Sequence, residues 1–156
     1  SPAFAPAVPM DVAALDAFLR PSLAQGRPAT ASTSFKPPWG FVPQPLHAFD
    51  ANINTAWRPA EEDKTPWIAV DLGAPRTIDT IELLWGSDEP GYRYLVEASA
   101  DGATWTPLSD QRENVFSGNR HVCRVEGSAI RHIRVSIAAA PAGRPILLRE
   151  LRLLGE

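Results

Sequence analysis

The sequence predicts an all-β fold, an antiparallel β-sandwich of the jelly-roll type with a short N-terminal helix. Apolar and polar side chains alternate at period two in at least six short stretches, which is typical of half-buried strands. Glycine contributes 10 and proline 16 of the 156 residues, and this punctuation favours short strands and long loops over helices. Strands do not alternate with helices, so the pattern argues against a parallel sheet with a nucleotide site.

The chain is predicted to divide into a linker with a short helix over residues 1–21 and a sandwich domain over residues 22–156. The first nine residues are rich in alanine and proline, which favours extended linker conformations. The next segment carries the only helical periodicity, with an N-cap at Asp11 and a stop at Pro21. Its apolar residues fall on one face: Val12, Leu15, Phe18 and Leu19. Such a face is expected to pack against the domain itself or against an upstream domain.

The alternating stretches follow Gly26 at regular spacing. They occupy residues 67–72, 81–85, 92–99, 104–106, 122–126, 133–137 and 146–154. Asp101 and Gly102 predict a hairpin turn between two of them. The number and spacing of these stretches predict a sandwich of about eight strands.

Composition excludes several classes of protein. The net charge is −3 and the basic residues form no block, which argues against a nucleic-acid or anionic-membrane partner. No apolar run reaches the length of a transmembrane helix, and no signal peptide is visible. The single cysteine, Cys123, excludes an internal disulfide. It is expected to be a small buried hydrophobe, although His121 on the same strand face leaves a nucleophilic role open.

A series of motifs runs through the chain in a fixed order. They are LAQGRPATA at 23–31, AFDANINTAW at 48–57, PWIAVDLG at 66–73, YLVEASADGATW at 94–105, IRHIRV at 130–135 and LREL at 148–151. Together they resemble the discoidin family, also called coagulation factor V/VIII type C domains, and among bacterial members carbohydrate-binding module family 32. The resemblance spans residues 22–156 and implies a galactose-binding-domain-like sandwich.

Two positions depart from the family pattern. Ala51 stands where the family usually has glycine, which suggests a backbone angle that an L-residue can reach. His132 stands where the family usually has an aromatic residue. Neither change conflicts with the predicted fold.

The resemblance also implies a structural calcium site formed by four oxygen-bearing residues: Asp50, Asn52, Thr55 and Glu150. Calcium takes six to eight oxygen ligands, and carbonyl groups of the tight 50–55 loop can add to the side chains. The ion would tie this loop to the last strand. The alternative is an Asx-type turn in which Asp50 accepts hydrogen bonds from nearby amides.

Family members bind sugars through loops at the rim of the sandwich, with an aromatic ring and polar side chains. Trp39 and Phe41 lie in a proline-rich loop and are expected to stack on the apolar face of a pyranose. The alternative is that both rings fold back as a lid over the sandwich edge. Further candidates, chosen by loop and residue type alone, are Trp85, Tyr92, Asn114, Arg120 and His121. Trp85 also fits the core, as do three tryptophans in the motifs: Trp57, Trp67 and Trp105.

The resemblance implies a non-catalytic carbohydrate-binding module that tethers an attached enzyme, a glycoside hydrolase, to a glycan or polysaccharide. The parent protein would be bacterial and secreted or periplasmic. An acid–base pair of Asp71 and Glu150 is not expected, because nothing in the sequence places the two carboxylates in one cleft. The main alternative is a structural or protein-interaction module without sugar binding. Phospholipid binding, found in animal relatives, is only weakly suggested by Lys36, Trp39 and Phe41, and the negative net charge argues against it.

Overall fold

The computed structural model describes residues 20–156. The described chain contains six antiparallel strands and one short 3-10 helix: β1 (Ala29–Ala31), the 3-10 helix (Pro45–Ala48), β2 (Trp67–Trp85), β3 (Arg93–Ser99), β4 (Thr106–Gln111), β5 (Arg120–Ala139) and β6 (Leu148–Gly155). The all-β prediction is confirmed. The predicted helix over residues 11–20 lies outside the described residues except for its last position.

Two long strands build both layers of the sandwich. The first part of β2, from Trp67 to Asp71, pairs with the last part of β5, and this layer continues in the order β1-β2-β5-β3-β4. The second part of β2 pairs with the first part of β5 on one side and with β6 on the other. Between Asp71 and Thr80 the register shifts several times, which marks the bend that carries both strands from one layer to the other.

This bend accounts for the difference between the predicted strands, about eight in number, and the six continuous strands of the structure. The predicted strands 67–72 and 81–85 are two parts of β2, and 122–126 and 133–137 are two parts of β5. The sequence Gly73-Ala74-Pro75 between them looks like a turn, but β-bulges preserve the strand pairing through it. The predicted hairpin at Asp101 and Gly102 is confirmed, since β3 and β4 pair on either side of it.

The core lies between the two layers. Tyr94 on β3 reaches across it, and its hydroxyl oxygen lies 2.8 Å from Nδ1 of His121 on β5. The largest fully buried side chains come from both layers and from the connections between strands: Trp57, Trp85, Tyr92, Tyr94, Phe49, Ile68, Leu72, Ile78, Ile81, Leu83, Ile133 and Leu148. Trp67 and Trp105 are only partly buried, so their predicted place in the core is wrong. The Trp105 ring instead lies under the guanidinium of Arg134, at 4.2 Å.

The two ends of the sandwich differ. The bend of β2 and β5 closes one end, where Arg131 donates a 2.9 Å hydrogen bond to the Asp71 carboxylate. The other end collects the long connections, which are residues 32–66, 86–92, 112–119 and 140–147. We call it the loop end. Within residues 20–156, no helix has the length and apolar character needed to span a bilayer.

Candidate functional site

The proline-rich loop at residues 33–43 projects its aromatic rings into solvent. Trp39 is 86% exposed and Phe41 is 62% exposed. Both ends of the loop are fastened to Arg58: the Phe35 amide donates to the Arg58 carbonyl at 2.8 Å, and the Arg58 amide donates to the Pro43 carbonyl at 3.3 Å. Neither ring folds back as a lid. A fixed base and an exposed tip suit a ring that stacks on a ligand.

A cleft that mixes charged and apolar residues, here called the charged cleft, lies at the base of this loop. It has a volume of about 390 Å³, and its walls come from residues 58–63 and 143–146. Arg58 contributes a guanidinium that sits 3.7 Å from the centre of the Phe35 ring and 2.9 Å from a Glu61 carboxylate oxygen. Across the cleft, Arg144 pairs with Glu89 at 2.9 Å. Guanidinium and carboxylate groups in one cleft can donate to and accept from neighbouring hydroxyl groups.

The sequence analysis missed the cleft residues Arg58, Glu61 and Arg144. They lie between the family motifs, in segments that show no alternation of apolar and polar residues. Only the fold brings the two segments together. The signal that could have drawn attention to them is an arginine beside proline in each segment, at Arg58-Pro59 and Arg144-Pro145.

Asp63 fixes the floor of this cleft. Its carboxylate accepts hydrogen bonds from the Ser32 hydroxyl at 2.6 Å, the Thr33 hydroxyl at 2.7 Å and the Thr65 amide at 3.1 Å. Burial opposes the charged form, but the hydrogen bonds from Ser32 and Thr33 lower the pKa of Asp63 below its ordinary value. Asp63 therefore remains ionised and holds the start of the aromatic loop against the 58–65 segment.

Three predicted ligand residues belong to the core instead. Trp85, Tyr92 and His121 are buried, so they do not form a binding surface. The Trp85 and Tyr92 rings stack at 4.4 Å with an angle of 8°. Burial lowers the pKa of His121 to about 4, so this histidine is neutral at physiological pH. The physical reason for the correction is that the three rings pack together more fully than they would at a solvated rim.

The other two predicted ligand residues, Asn114 and Arg120, lie in different places on the surface of the domain. Asn114 braces the 112–119 loop, because its side-chain amide donates to the carbonyls of Tyr92 at 2.9 Å and Gln111 at 2.8 Å. Arg120 lines a different groove, beside Leu84, and not the cleft at the base of the aromatic loop. The 112–119 loop also presents Val115, which is 94% exposed and which the sequence analysis did not single out.

The structure brings the four predicted calcium ligands together. The Asn52 amide donates to Asp50 Oδ1 and to Glu150 Oε1, both at 3.0 Å, which joins residues 98 positions apart. Thr55 Oγ1 lies 2.5 Å from Asp50 Oδ2 and 3.0 Å from the Asn52 carbonyl oxygen. The Asx turn that was the alternative is also present, and the Asn52 side chain accepts from the Asn54 amide at 3.0 Å.

The electrostatics of this cluster fit a hard cation. Glu150 is 6% exposed, and burial together with the neighbouring Asp50 carboxyl raises the pKa of Glu150 to about 8. Carboxylate, hydroxyl and carbonyl oxygens are the ligands that calcium prefers. In residues 20–156 no three His, Cys, Asp or Glu side chains group around one point, so a cation here would also need the Thr55 and Asn52 oxygens.

Ala51 adds strain to the same loop. Its φ is +57°, in the left-handed region that favours glycine. An L-residue does reach this angle, as the sequence analysis suggested, but at a cost in backbone energy. The family's glycine at this position would adopt it without that cost.

Asp71 and Glu150 lie in different parts of the fold, and Cys123 is buried in the core. Asp71 pairs with Arg131 near the bend, which with the Gly73 amide lowers the pKa of Asp71 to about 2, whereas Glu150 pairs with the 50–55 loop. The two carboxylates therefore occupy separate sites. Cys123 is buried, and burial raises the pKa of its thiol, so the prediction of a buried hydrophobe is confirmed.

The F5/8 type C domain matches residues 28–151 of this chain. Chitosan-binding module 1 from the chitosanase/glucanase of Paenibacillus sp. IK-5 is 26% identical, with a TM-score of 0.69 over 87% of this chain and 100% of that one. CpGH89CBM32-5 from Clostridium perfringens, solved with GalNAc-beta-1,3-galactose, is 23% identical, with a TM-score of 0.71 over 86% of this chain and 99% of that one.

A family 89 glycoside hydrolase from Clostridium perfringens is 22% identical, with a TM-score of 0.69 over 88% of this chain but only 15% of that one. No curated protein shows significant similarity to the sequence. The family match covers most of the chain. The chain belongs to the F5/8 type C (discoidin) domain family.

Proposed function

We propose that this chain is a non-catalytic carbohydrate-binding module that holds a saccharide at the loop end of the sandwich. The observation that carries the proposal is the exposed Trp39 ring on a loop fastened at its base beside a charged cleft. Solved modules of the same fold include a chitosan-binding module and a module bound to GalNAc-beta-1,3-galactose. Their ligands support a sugar as the partner of this chain.

Each part of the loop end has a distinct role in this proposal. The Trp39 ring stacks on the apolar C–H face of a pyranose, and the fastened loop lowers the entropy lost on binding. Arg58 and Arg144 donate hydrogen bonds to hydroxyl oxygens, and Glu61 accepts hydrogen bonds from hydroxyl groups. Phe41, with its ring 4.6 Å from the His47 ring, adds a second apolar surface next to Trp39.

Binding to a single saccharide should be weak. A shallow open site covers only part of a sugar, so we expect a Kd on the order of 0.1 to 1 mM, which corresponds to about −4 to −5.5 kcal/mol. Useful retention on a polysaccharide then comes from several modules or several sites acting together. This suits a module that tethers a covalently attached catalytic domain, a glycoside hydrolase, in a secreted or periplasmic bacterial protein. The small share that such a fold occupies in the family 89 hydrolase supports this arrangement.

Calcium is the second element of the proposal. The ion would be held by Asp50, Thr55 and Glu150 together with carbonyl oxygens of the 50–55 loop, and Asn52 would position that loop through its amide. It would neutralise the two carboxylates and tie the loop to β6. Its role is structural, because the aromatic loop and the charged cleft use other residues.

The test is a binding experiment on matched variants. The purified chain with calcium is applied to an array of glycans and of plant and bacterial polysaccharides, and hits are titrated by calorimetry. Trp39→Ala should weaken binding at least tenfold, and Arg144→Ala should weaken it similarly. Val115→Ala removes an equally exposed apolar side chain from another loop and should leave the affinity unchanged.

Three results would count against the proposal. No binding to any glycan or polysaccharide on the array would favour the structural or protein-interaction alternative. Binding that survives both Trp39→Ala and Arg144→Ala would move the site away from the loop end. Sedimentation with anionic vesicles in place of sugar binding would identify a lipid-binding module.

A further inference from the structure

A second cleft lies beside the charged cleft at the loop end. It has a volume of about 500 Å³, and its walls come from residues 32–36 and 60–62. Ala60 and Glu61 line both clefts, so one narrow wall separates them. This wall is a tight turn, which the Asp63 amide closes by donating to the Ala60 carbonyl at 3.1 Å. A ligand that extends across this turn from the charged cleft enters the second cleft.

Hydrogen bonds join the two walls of the second cleft to each other and to the core. The Ala60 amide donates to the Thr33 hydroxyl at 3.0 Å, and the same hydroxyl donates to the Asp63 carboxylate at 2.7 Å. The indole N–H of the buried Trp57 donates to the Thr33 carbonyl at 3.0 Å. Because its walls are fixed in this way, the second cleft loses little entropy when a ligand binds.

The second cleft offers an apolar ring and two opposite charges. The half-buried Phe35 lines it, together with the exposed residues Lys36 and Glu62. Within residues 20–156, no hydrogen bond or ion pair occupies the side chains of Lys36 and Glu62. The Lys36 ammonium can donate to hydroxyl oxygens, and the Glu62 carboxylate can accept from hydroxyl groups. An apolar surface with a few polar groups suits a sugar ring, which has an apolar face and a polar edge.

Arg58 connects the second cleft to the charged cleft. Its guanidinium lines the charged cleft and lies 3.7 Å from the centre of the Phe35 ring, which lines the second cleft. The same guanidinium donates to Glu61, on the wall between the clefts, at 2.9 Å. These three side chains form one row that runs from one cleft to the other. Adjacent units of a glycan chain can therefore find donors and acceptors along the whole row.

The sizes of the two clefts indicate a ligand longer than one sugar. Their volumes are about 390 and 500 Å³. Sites of about 300 to 1,000 Å³ are usual for a small-molecule ligand, so each cleft can hold a sugar ring by itself. Because the turn at Ala60 and Glu61 stands between the clefts, one ring cannot occupy both.

We propose, building on the function proposed above, that the loop end binds two neighbouring units of one glycan chain. One pyranose lies in the charged cleft, the next lies in the second cleft, and the linkage between them crosses the wall at Glu61. In the second cleft Phe35 packs against the ring, while Lys36 and Glu62 form hydrogen bonds with its hydroxyl groups. The ligand class is an oligosaccharide or a segment of a polysaccharide, and a monosaccharide fills only half of the site.

The test measures affinity against chain length. The probes are cello-, chito- and galacto-oligosaccharides of one, two and three residues, titrated by calorimetry in the presence of calcium. In a series that binds, we expect the two-residue member to bind at least about tenfold more tightly than the monosaccharide, because it adds at least one hydrogen bond to a charged group. Lys36→Ala should weaken binding of the two-residue member by about threefold to tenfold and leave the affinity for the monosaccharide unchanged.

Lys64 provides the matched control. It is the other lysine of the chain, and it is exposed and lines neither cleft. Lys64→Ala should therefore change neither affinity. Thermal unfolding checks that both variants keep the fold of the natural chain.

Acetylation of the two lysines gives a readout that does not depend on the variants. Lys36 and Lys64 are both exposed, so both react in the free chain. At saturation, two- and three-residue ligands should slow acetylation of Lys36 and leave that of Lys64 unchanged. The monosaccharide should slow neither reaction.

The outcomes separate this inference from the function on which it rests. Equal affinity for one- and two-residue ligands would overturn the inference and leave the proposed function intact. So would equal effects of Lys36→Ala and Lys64→Ala on the two-residue ligand, or protection of Lys36 by the monosaccharide. An absence of binding at every chain length, here and on the glycan array, would overturn the proposed function and this inference with it.

Discussion

Raising the pH from 6.5 to 8 in the presence of a chelator is expected to destabilise the domain through Glu150. Its carboxyl is buried beside Asp50, and the pKa of Glu150 is raised from 4.5 to about 8. Between these two values the folded chain holds a proton that the unfolded chain releases. The free energy of unfolding therefore falls as the pH rises through this window.

The buried His121 determines the pH range in which the effect of Glu150 on stability can be measured. The pKa of His121 is lowered from 6.5 to about 4, so between these values the unfolded chain binds a proton that the folded chain excludes. This makes the free energy of unfolding rise with pH, opposite to the effect of Glu150. The two contributions offset each other from pH 4.5 to 6.5, and above pH 6.5 the contribution of His121 fades and that of Glu150 dominates.

The magnitude follows from the slope of about 1.4 kcal/mol per pH unit for one proton. From pH 6.5 to 8 the free energy of unfolding should fall by about 1 to 1.5 kcal/mol, because folded Glu150 is itself half deprotonated at pH 8. For a domain of this size that is a decrease in Tm of about 2 to 6 °C. Calcium at the proposed site should reverse the loss and should raise the Tm more at pH 8 than at pH 6.5, because the ion would bind the deprotonated carboxylate.

The assay is thermal unfolding across this pH range, with chelator or with calcium, for the natural chain and for Glu150→Gln. Glutamine keeps an acceptor for the Asn52 amide, which Glu150 accepts at 3.0 Å, and it carries no charge. The variant should lose the decline above pH 6.5 and, in chelator, should be the more stable protein at pH 8. A decline of equal slope in both proteins would refute the reasoning, as would a flat Tm in the natural chain.

Further predictions concern local stability. Ala51→Gly should raise the free energy of unfolding by about 0.5 to 1 kcal/mol, since φ is +57° there, and a lower denaturation midpoint would contradict this. Tyr94→Phe should cost about 1 to 2 kcal/mol in urea unfolding, because it leaves the buried His121 Nδ1 without the hydroxyl at 2.8 Å; an unchanged midpoint would show that another group takes its place. Gly155→Ala should cost at least about 2 kcal/mol, because a Cβ there would overlap the Thr77 carbonyl oxygen, and a neutral result would mean that the β2–β6 end relaxes freely.

The fold class was predictable because it depends on short local patterns, whereas the meeting of the 50–55 loop with Glu150 was implied by the resemblance to the discoidin family. Alternation identified the strands, and the order of motifs indicated that Asp50 and Glu150 meet across most of the chain. The bend in β2 was not predictable from Gly73-Ala74-Pro75, because a turn and a bulged continuation use the same residues. Only the pairing of β2 with β5 distinguishes a turn from a bulged continuation of the strand.

The binding surface was predictable only in part, for a different reason. The proline content around Trp39 suggested a stiff loop, but the two hydrogen bonds that join the base of this loop to Arg58 were not predictable from the sequence. Trp85 satisfied two opposing patterns, core alternation and a strand end near the rim, and its stacking on Tyr92 determined the outcome. The charged cleft comes from distant segments, so no single stretch of sequence contains it.

The two bent strands have a consequence for how the domain folds. Because β2 and β5 each contribute to both layers, neither layer can form or dissolve without the other. Their partners are far apart in sequence, so most loop-closure entropy is lost before the pairing stabilises the chain, and folding should take milliseconds to seconds. We expect amide protection to disappear from both strands in one transition. The connections at the loop end lie outside this shared pair, so they can acquire new sequences with little effect on the speed of folding.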